Sequence, residues 1–130
     1  MQDRFAAARV ARLATVRPDG GAHVVPVVFA VVGHTVYVAV DHKPKRTTDL
    51  QRIRNLRAEP RCSLLVDHYE DDWSRLWWVR ADAAGRLVDD ADERRRALDA
   101  LAAKYPQYEG RRPEGPVLAF DVTRWSHWSA

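Results

Sequence analysis

Three cations and two hydroxyls fall together in Lys43-Pro44-Lys45-Arg46-Thr47-Thr48, on a turn between a strand-like run, residues 35–40, and a segment patterned as a helix. Free backbone N–H groups and the positive end of the helix dipole would add to the side-chain charge there. Such a turn suits an anion, most simply a phosphate. A solvated basic loop with an ordinary Thr cap accounts for the same residues, so the turn alone does not choose between the two. His42 borders it and would stand within reach of a phosphate or a substrate.

The other chemistry-bearing residues are scattered. His23, His42 and His68 have no ligand-like spacing, so no metal site is predicted. Cys62 is the single cysteine, which leaves neither an intrachain disulfide nor a cysteine-based zinc site, and its apolar strand makes it core rather than nucleophile. Asp71-Asp72 and Asp92-Glu93 read as a loop and a helix start, and Arg94-Arg95-Arg96 as the wet face of a helix. Strand alternation puts Trp77 and Trp78 on opposite faces, one toward the core and the other free to line a cleft. Trp125 and Trp128, an odd number of positions apart, also face opposite ways, and core or dimer packing suits both.

The charge is local. Between Lys43 and Arg61 stand seven Lys/Arg against two acids, while the whole 130-residue chain carries a net +3, so the remainder sums to −2. One basic segment, rather than a basic face, argues against nucleic-acid coating and for a local anionic partner. Apolar residues make up 46% of the chain, enough for a packed core. No apolar run reaches the roughly 18 residues of a membrane span, and the start of the chain lacks a signal-peptide core, so the expectation is a cytoplasmic protein with no membrane partner.

The elements that must position these residues follow from periodicity and punctuation. A short helix over 3–9 packs Phe5, and residues 10–16 form a strand stopped by Pro18-Asp19-Gly20-Gly21. Residues 23–32 read as one long strand whose Pro26 demands an edge or a bulge. Gly33-His34 is a two-residue hairpin loop into residues 35–41. After the basic turn, Thr48 and Gln51 have capping-box spacing, Leu50, Ile53 and Leu56 form an apolar stripe, and Pro60 ends the helix. A strand over 61–67, an acidic loop, a strand from Trp73 and a hairpin at Ala84-Gly85 come next. The second long helix is capped by Asp90 with Glu93 and buries Leu98, Leu101 and Tyr105; a last strand runs from Val117 through Trp125 to Trp128. Six strands with hairpin-length connections predict a mainly β single domain over 1–130, an antiparallel barrel with two to three peripheral helices.

In order and spacing, Ala14-Thr15-Val16-Arg17-Pro18-Asp19-Gly20, His23-Val24-Val25-Pro26-Val27, Lys43-Pro44-Lys45-Arg46-Thr47, Asn55-Leu56-Arg57-Ala58-Glu59-Pro60-Arg61 and the closing Trp125 resemble the FMN-binding split β-barrel family related to pyridoxamine 5′-phosphate oxidase. The stretch from Asp67 to Trp78 is most similar to the branch that uses coenzyme F420. The resemblance implies a homodimer with two cofactor sites between the subunits. It implies that Lys43, Lys45, Arg46, Thr47 and Thr48, with His42 beside them, hold the cofactor phosphate. It also implies that the backbone at Pro26, Val27 and Val28 lies along the ring, and that Arg75, Trp77 and Trp78 close the cleft from the partner. The implied function is an oxidoreductase moving hydride between the deazaflavin F420 and an unsaturated organic acceptor, with no separate catalytic side chain required because the cofactor carries the chemistry. FMN is the alternative cofactor. A non-catalytic binder of flavin, haem or another tetrapyrrole is the alternative function. Pyridoxamine phosphate oxidation itself needs substrate-binding residues that this short chain does not display.

Overall fold

The computed structural model of the chain describes residues 1–40 and 46–130, residues 46–50 by their backbone alone. Helix α1 (Gln2–Ala7) precedes strands β1 (Ala11–Val16), β2 (Ala22–Val27), β3 (Ala30–Val32) and β4 (Thr35–Ala39). Helix α2 (Arg46–Ala58), strands β5 (Arg61–His68) and β6 (Trp77–Leu87), helix α3 (Ala91–Lys104) and strand β7 (Val117–Ser129) follow. The strands form one antiparallel sheet in the order β2-β1-β5-β6-β7-β4-β3.

That order forces the sheet to curl. Its two edge strands, β2 and β3, are separated in the chain only by Val28 and Phe29. Laid flat, six inter-strand spacings of about 4.8 Å would put the edges roughly 29 Å apart. Three residue steps reach at most about 11 Å. The edges therefore meet at a seam, which makes the sheet a split barrel, mainly β as expected, with three helices around it. The predicted strand over 23–32 is two strands broken at this seam, and the sheet has seven strands rather than six. Pro26 does lie on an edge strand, where its missing N–H costs least.

The seam exposes a backbone problem that Tyr105 solves. Phe29 belongs to neither edge strand and is fully buried, so its N–H and C=O need partners. The buried Tyr105 hydroxyl accepts the Phe29 N–H at 3.1 Å and lies 2.9 Å from the carbonyls of Phe29 and Arg9, donating to one of them. The aromatic at the end of α3 thus ties both sheet edges and the entry of β1 together.

Two cores result from strand alternation. The barrel interior holds Phe5, Leu13, Phe29, Val36, Leu64, Val79, Leu118 and Phe120. On the other side of β3, β4 and the start of β7, the residues Tyr37, Ala39, Val117 and Ala119 pack against Ala97, Leu101 and Tyr105 of α3. Leu98 packs only partly against this second core. The α3 cap forms as expected, Asp90 Oδ2 accepting the Glu93 N–H at 2.8 Å. Arg95 and Arg96 of the predicted wet face are exposed, while Arg94 turns to donate to the Gly115 and Pro113 carbonyls.

Helix α2 starts at Arg46, two residues ahead of the predicted Thr48 cap; the side chains of Thr48 and Leu50 lie outside the described residues. Its fully buried Asn55 donates to Thr15 Oγ1 at 3.0 Å and accepts from Gln51 Nε2 at 2.7 Å, which locks the helix to β1. The predicted hairpin at Ala84-Gly85 does not exist: β6 runs unbroken through both residues. Gly85 is there because Leu56 crosses the strand at that point, and a Cβ would sit 2.6 Å from Leu56 Cδ2 and 3.1 Å from Phe120 Cδ1. By contrast, Gly33 is a conformational glycine, with φ +61° at the first loop position of the β3–β4 hairpin.

An ion network clamps α3 to the sheet. Arg86 donates to Glu93 at 2.8 and 2.7 Å and to Asp121 at 2.7 Å, Tyr37 donates to Glu93 at 2.7 Å, and Thr35 donates to Asp121 at 2.9 Å. The Glu93 side chain is only 13% exposed. The Arg86 hydrogen bonds, then that from Tyr37, hold its carboxyl at about 2, below its ordinary 4.5.

Three outcomes are expected. Tyr105→Phe, which strands the buried Phe29 backbone, lowers the unfolding free energy by about 1–3 kcal/mol in urea titration. Gly85→Ala overpacks the Leu56 contact and costs about 1–3 kcal/mol by the same measurement. Because the folded carboxyl of Glu93 titrates below the unfolded one, its contribution is complete above pH 4.5 and is lost as pH falls toward about 2. The melting-temperature gap between Glu93→Gln and the parent chain should therefore be widest near neutrality and close over that acid window.

Candidate functional site

Strand alternation leaves one face of the sheet uncovered. Opposite the barrel interior, β2, β1, β5, β6 and the end of β7 present rows fixed by register: Val24, Ala14, Ser63, Asp82 and Arg124 in one; Pro26, Arg12, Leu65, Arg80 and Ser126 in the next; Asp67, Trp78 and Trp128 in a third. Every one of these side chains is exposed or half-buried. Val24, at 61% exposure, and Trp128, at 42%, are large apolar groups left in solvent. Among the described residues this is a broad, half-apolar surface that no core claims, and exposed apolar groups of that kind mark interfaces or ligand sites.

A cleft of about 560 Å³ opens on this face, walled by Ala14, Val16 and Ala22 and supplied with polar groups by Arg61, Ser63, Asp82 and Thr123. Ser63 donates to Asp82 Oδ1 at 2.6 Å, and Arg80 lies 3.4 Å from the same carboxylate. The β6–β7 register slips beside Asp82, leaving Thr123 as the extra residue of a bulge, and its hydroxyl donates to the Asp82 carbonyl at 3.1 Å. Arg61 grips Glu59 through two hydrogen bonds, of 2.7 and 3.0 Å, and these bonds hold the Glu59 carboxyl at about 2. Cys62 lines the cleft, but burial, with the Asp82 charge second, pushes its thiol up to about 12. It is protonated at neutral pH and is no nucleophile. Among the described residues, no three His, Cys, Asp or Glu side chains gather as a metal-ion set.

The residues singled out in sequence are distributed around this face. Pro26 is exposed on the edge strand, Val27 points into the barrel core, and Val28 lies in the seam, half-buried against the α3 core. Trp78 is on the open face with the Arg80 guanidinium 5.4 Å from its ring centroid. Trp77, its neighbour, turns the other way, as alternation requires, and packs against the barrel core between Arg4 and His68. Arg75 sits in a short 3₁₀ turn, Trp73–Arg75, is 69% exposed and pairs with Glu70 at 3.3 Å. His42, Lys43 and Lys45 lie outside the described residues, and Arg46, Thr47 and Thr48 enter as helical backbone at the start of α2. Sequence reading did not single out Ser63, Asp82 or Thr123. They become neighbours through β5–β6 register and a bulge, and neither leaves a local sequence signal.

No described helix is long and apolar enough to cross a membrane. A comparison with curated protein sequences finds no match. Solved structures share the fold. A conserved hypothetical protein from Mycobacterium tuberculosis superposes with a TM-score of 0.76 at 20% identity, over 98% of this chain and 81% of that one. The heme storage protein HutZ from Vibrio cholerae does so with 0.74 at 17% identity, over 98% and 91%. An FAD-binding protein from Mesorhizobium loti gives 0.68 at 22% identity, over 97% and 88%. At such identities the likeness shows the fold alone. The sequence model named pyridoxamine 5′-phosphate oxidase matches residues 1–129, and with the curled seven-stranded sheet in place the chain belongs to that family.

Proposed function

We propose that this chain is an oxidoreductase that binds coenzyme F420, with FMN as the alternative cofactor, as a homodimer joined through the open sheet face. The observation that carries this reading is that face: five strands wide, half apolar, claimed by neither core and indented by a cleft of about 560 Å³. Flavin-type rings need a flat apolar bed with a few polar groups at the edge, and a second copy of the same face would cover the rest and exclude water. Family membership and the FAD-binding neighbour point the same way.

In this reading the basic turn, Lys43, Lys45, Arg46, Thr47 and Thr48, holds the cofactor phosphate at the start of α2, where the helix dipole favours an anion. Pro26 through Val28 lies beside the ring, and Trp78 with Arg75 borders the cleft from the second subunit. Arg54 and Arg57, both exposed on α2, extend the positive path for the anionic tail of F420. When bound, the cofactor supplies a hydride donor or acceptor; the protein supplies position, charge compensation and a dry surface. Asp82 is already committed to Ser63 and Arg80, and no acid or base role is assigned to a side chain of the face. The heme storage protein among the structural neighbours supports a second reading, a non-catalytic binder.

Titration with F420 and with FMN, followed by tryptophan fluorescence, tests the assignment. Tight F420 binding, weakened at least about tenfold by Lys45→Ala/Arg46→Ala with an unfolding free energy within about 0.5 kcal/mol of the parent, is expected. Unchanged affinity removes the phosphate role from the turn, tighter FMN binding moves the chain to the flavin branch, and binding without turnover of any acceptor favours the storage reading.

A further inference from the structure

A second cleft, of about 490 Å³, lies at the other end of β1, between α1, the entry of β1 and the end of β5. Arg4, Arg9 and Arg12 line it, together with Asp67, His68 and Trp77. Its charge is what sets it apart. Among the described residues Arg61, Arg75, Arg80, Arg86, Arg95 and Arg112 each hold a carboxylate, and Arg17, Arg54 and Arg94 donate to other oxygens; what is particular here is that arginines without a carboxylate partner gather around one concave surface. Arg4, Arg9 and Arg12 hold none. Arg4 lies over the Trp77 ring at 4.9 Å, Arg9 lies over the Tyr105 ring at 4.9 Å and donates to the Lys104 carbonyl at 2.9 Å, and Arg12 stands out from β1 opposite Pro26 and Leu65. Asp67 is the one carboxylate on the wall, and nearby Glu70 is taken up by His68 and Arg75.

Lys104, which does not line the cleft, stands near Arg9. Its Nζ is buried over the Phe29 ring at 3.7 Å with no hydrogen-bond partner, and it is close enough to Arg9 to be affected by its charge. Unpaired guanidinium groups around a concave surface form a site for an anion, and their planar forks match a carboxylate in particular. The wall supplies the second half of the recognition. His68 stacks on Trp77 with ring centroids 6.5 Å apart and planes within 23° of parallel, giving a flat aromatic edge to the cavity. The volume suits a molecule of one or two rings.

We propose that this cleft binds a planar aromatic or conjugated carboxylate, its acid group held by Arg4 and Arg12 and its ring set against the wall that His68 and Trp77 form. The site needs no cofactor, but Arg12 and Asp67 also stand on the open face, so the proposal rests on the dimer of the oxidoreductase reading leaving this end of the face accessible.

Isothermal titration of the full chain, without cofactor, with isophthalate tests it, using cis-cyclohexane-1,3-dicarboxylate and inorganic phosphate as non-aromatic anions. Isophthalate should bind at least about fivefold more tightly than either control, and Arg12→Gln and Arg4→Gln should each weaken it about tenfold, the worth of one lost charged fork. Arg95→Gln, which touches only Asp92 on α3, should leave the affinity unchanged. Arg12→Lys, which retains charge without the fork, should fall between the parent and Arg12→Gln, and thermal melts of all variants confirm folding. No isophthalate binding, equal affinity for the three anions, or affinity indifferent to Arg4 and Arg12 replacement overturns the proposal.

Discussion

Everything in this chain depends on a connection of two residues. Val28 and Phe29 join the two edges of a seven-stranded sheet, and a link that short admits only a closed surface. Closure gives the sheet an inside, which Phe5, Phe29 and Phe120 fill, and an outside that only partly finds a cover. It also places the backbone of Phe29 where no neighbouring strand can bond it. The Tyr105 hydroxyl is therefore a condition of closure rather than an ornament of α3: remove it and a buried donor faces nothing. A helix distant in sequence thus secures the seam between the first strands, and the Arg86–Glu93 clamp holds that helix in place.

The same closure decides where function can reside. Helix α3 covers the outer surface of β4 and the start of β7, so those strands are buried on both sides, and it packs on β3 at Ala30 while Val32 stays exposed. Helices α1 and α2 press inward, through Phe5 and through Asn55 and Leu56. The outer surface of β2, β1, β5, β6 and the end of β7 is what remains, and its mixture of Val24, Leu65 and Trp78 with Ser63, Arg80 and Asp82 suits neither plain solvent nor a plain core. A face of that composition is stable where a second body covers it, which is why the proposed dimer and cofactor belong there.

Legibility in the sequence followed the range of each interaction. The Gly33-His34 hairpin and the Asp90 cap rest on bonds within a few residues and are read directly, and the missing N–H of Pro26 narrows its place to an edge or a bulge, of which the structure shows the edge. The split of residues 23–32 at Val28-Phe29 was not, because both residues are as apolar as the strands they separate, and only the closed topology makes them a seam. Ala84-Gly85 misled for a related reason. Small residues read as a turn when nothing nearby explains them, while the explanation here, Leu56, lies on a helix that crosses the strand. The open face behaves likewise: Ser63 and Asp82 are nineteen positions apart and meet through register alone. The basic turn is the reverse case, conspicuous in sequence through its composition, with His42, Lys43 and Lys45 outside the described residues.

Charge placement separates structural from available groups more sharply than composition does. The chain carries 21 Lys and Arg, and most of the arginines in its folded ladders are used: Arg86 to clamp α3, Arg80 to hold Asp82, Arg61 to hold Glu59. A guanidinium so paired has little left to offer a ligand, because a newcomer must first displace a carboxylate already bonded in a good geometry. Arg4, Arg9 and Arg12 are under no such obligation, since their contacts are aromatic faces and one carbonyl, which leave their forks free of a competing anion. The arginine-lined cleft is assembled only when α1 folds against the ends of β1, β5 and β6, so no stretch of sequence announces it.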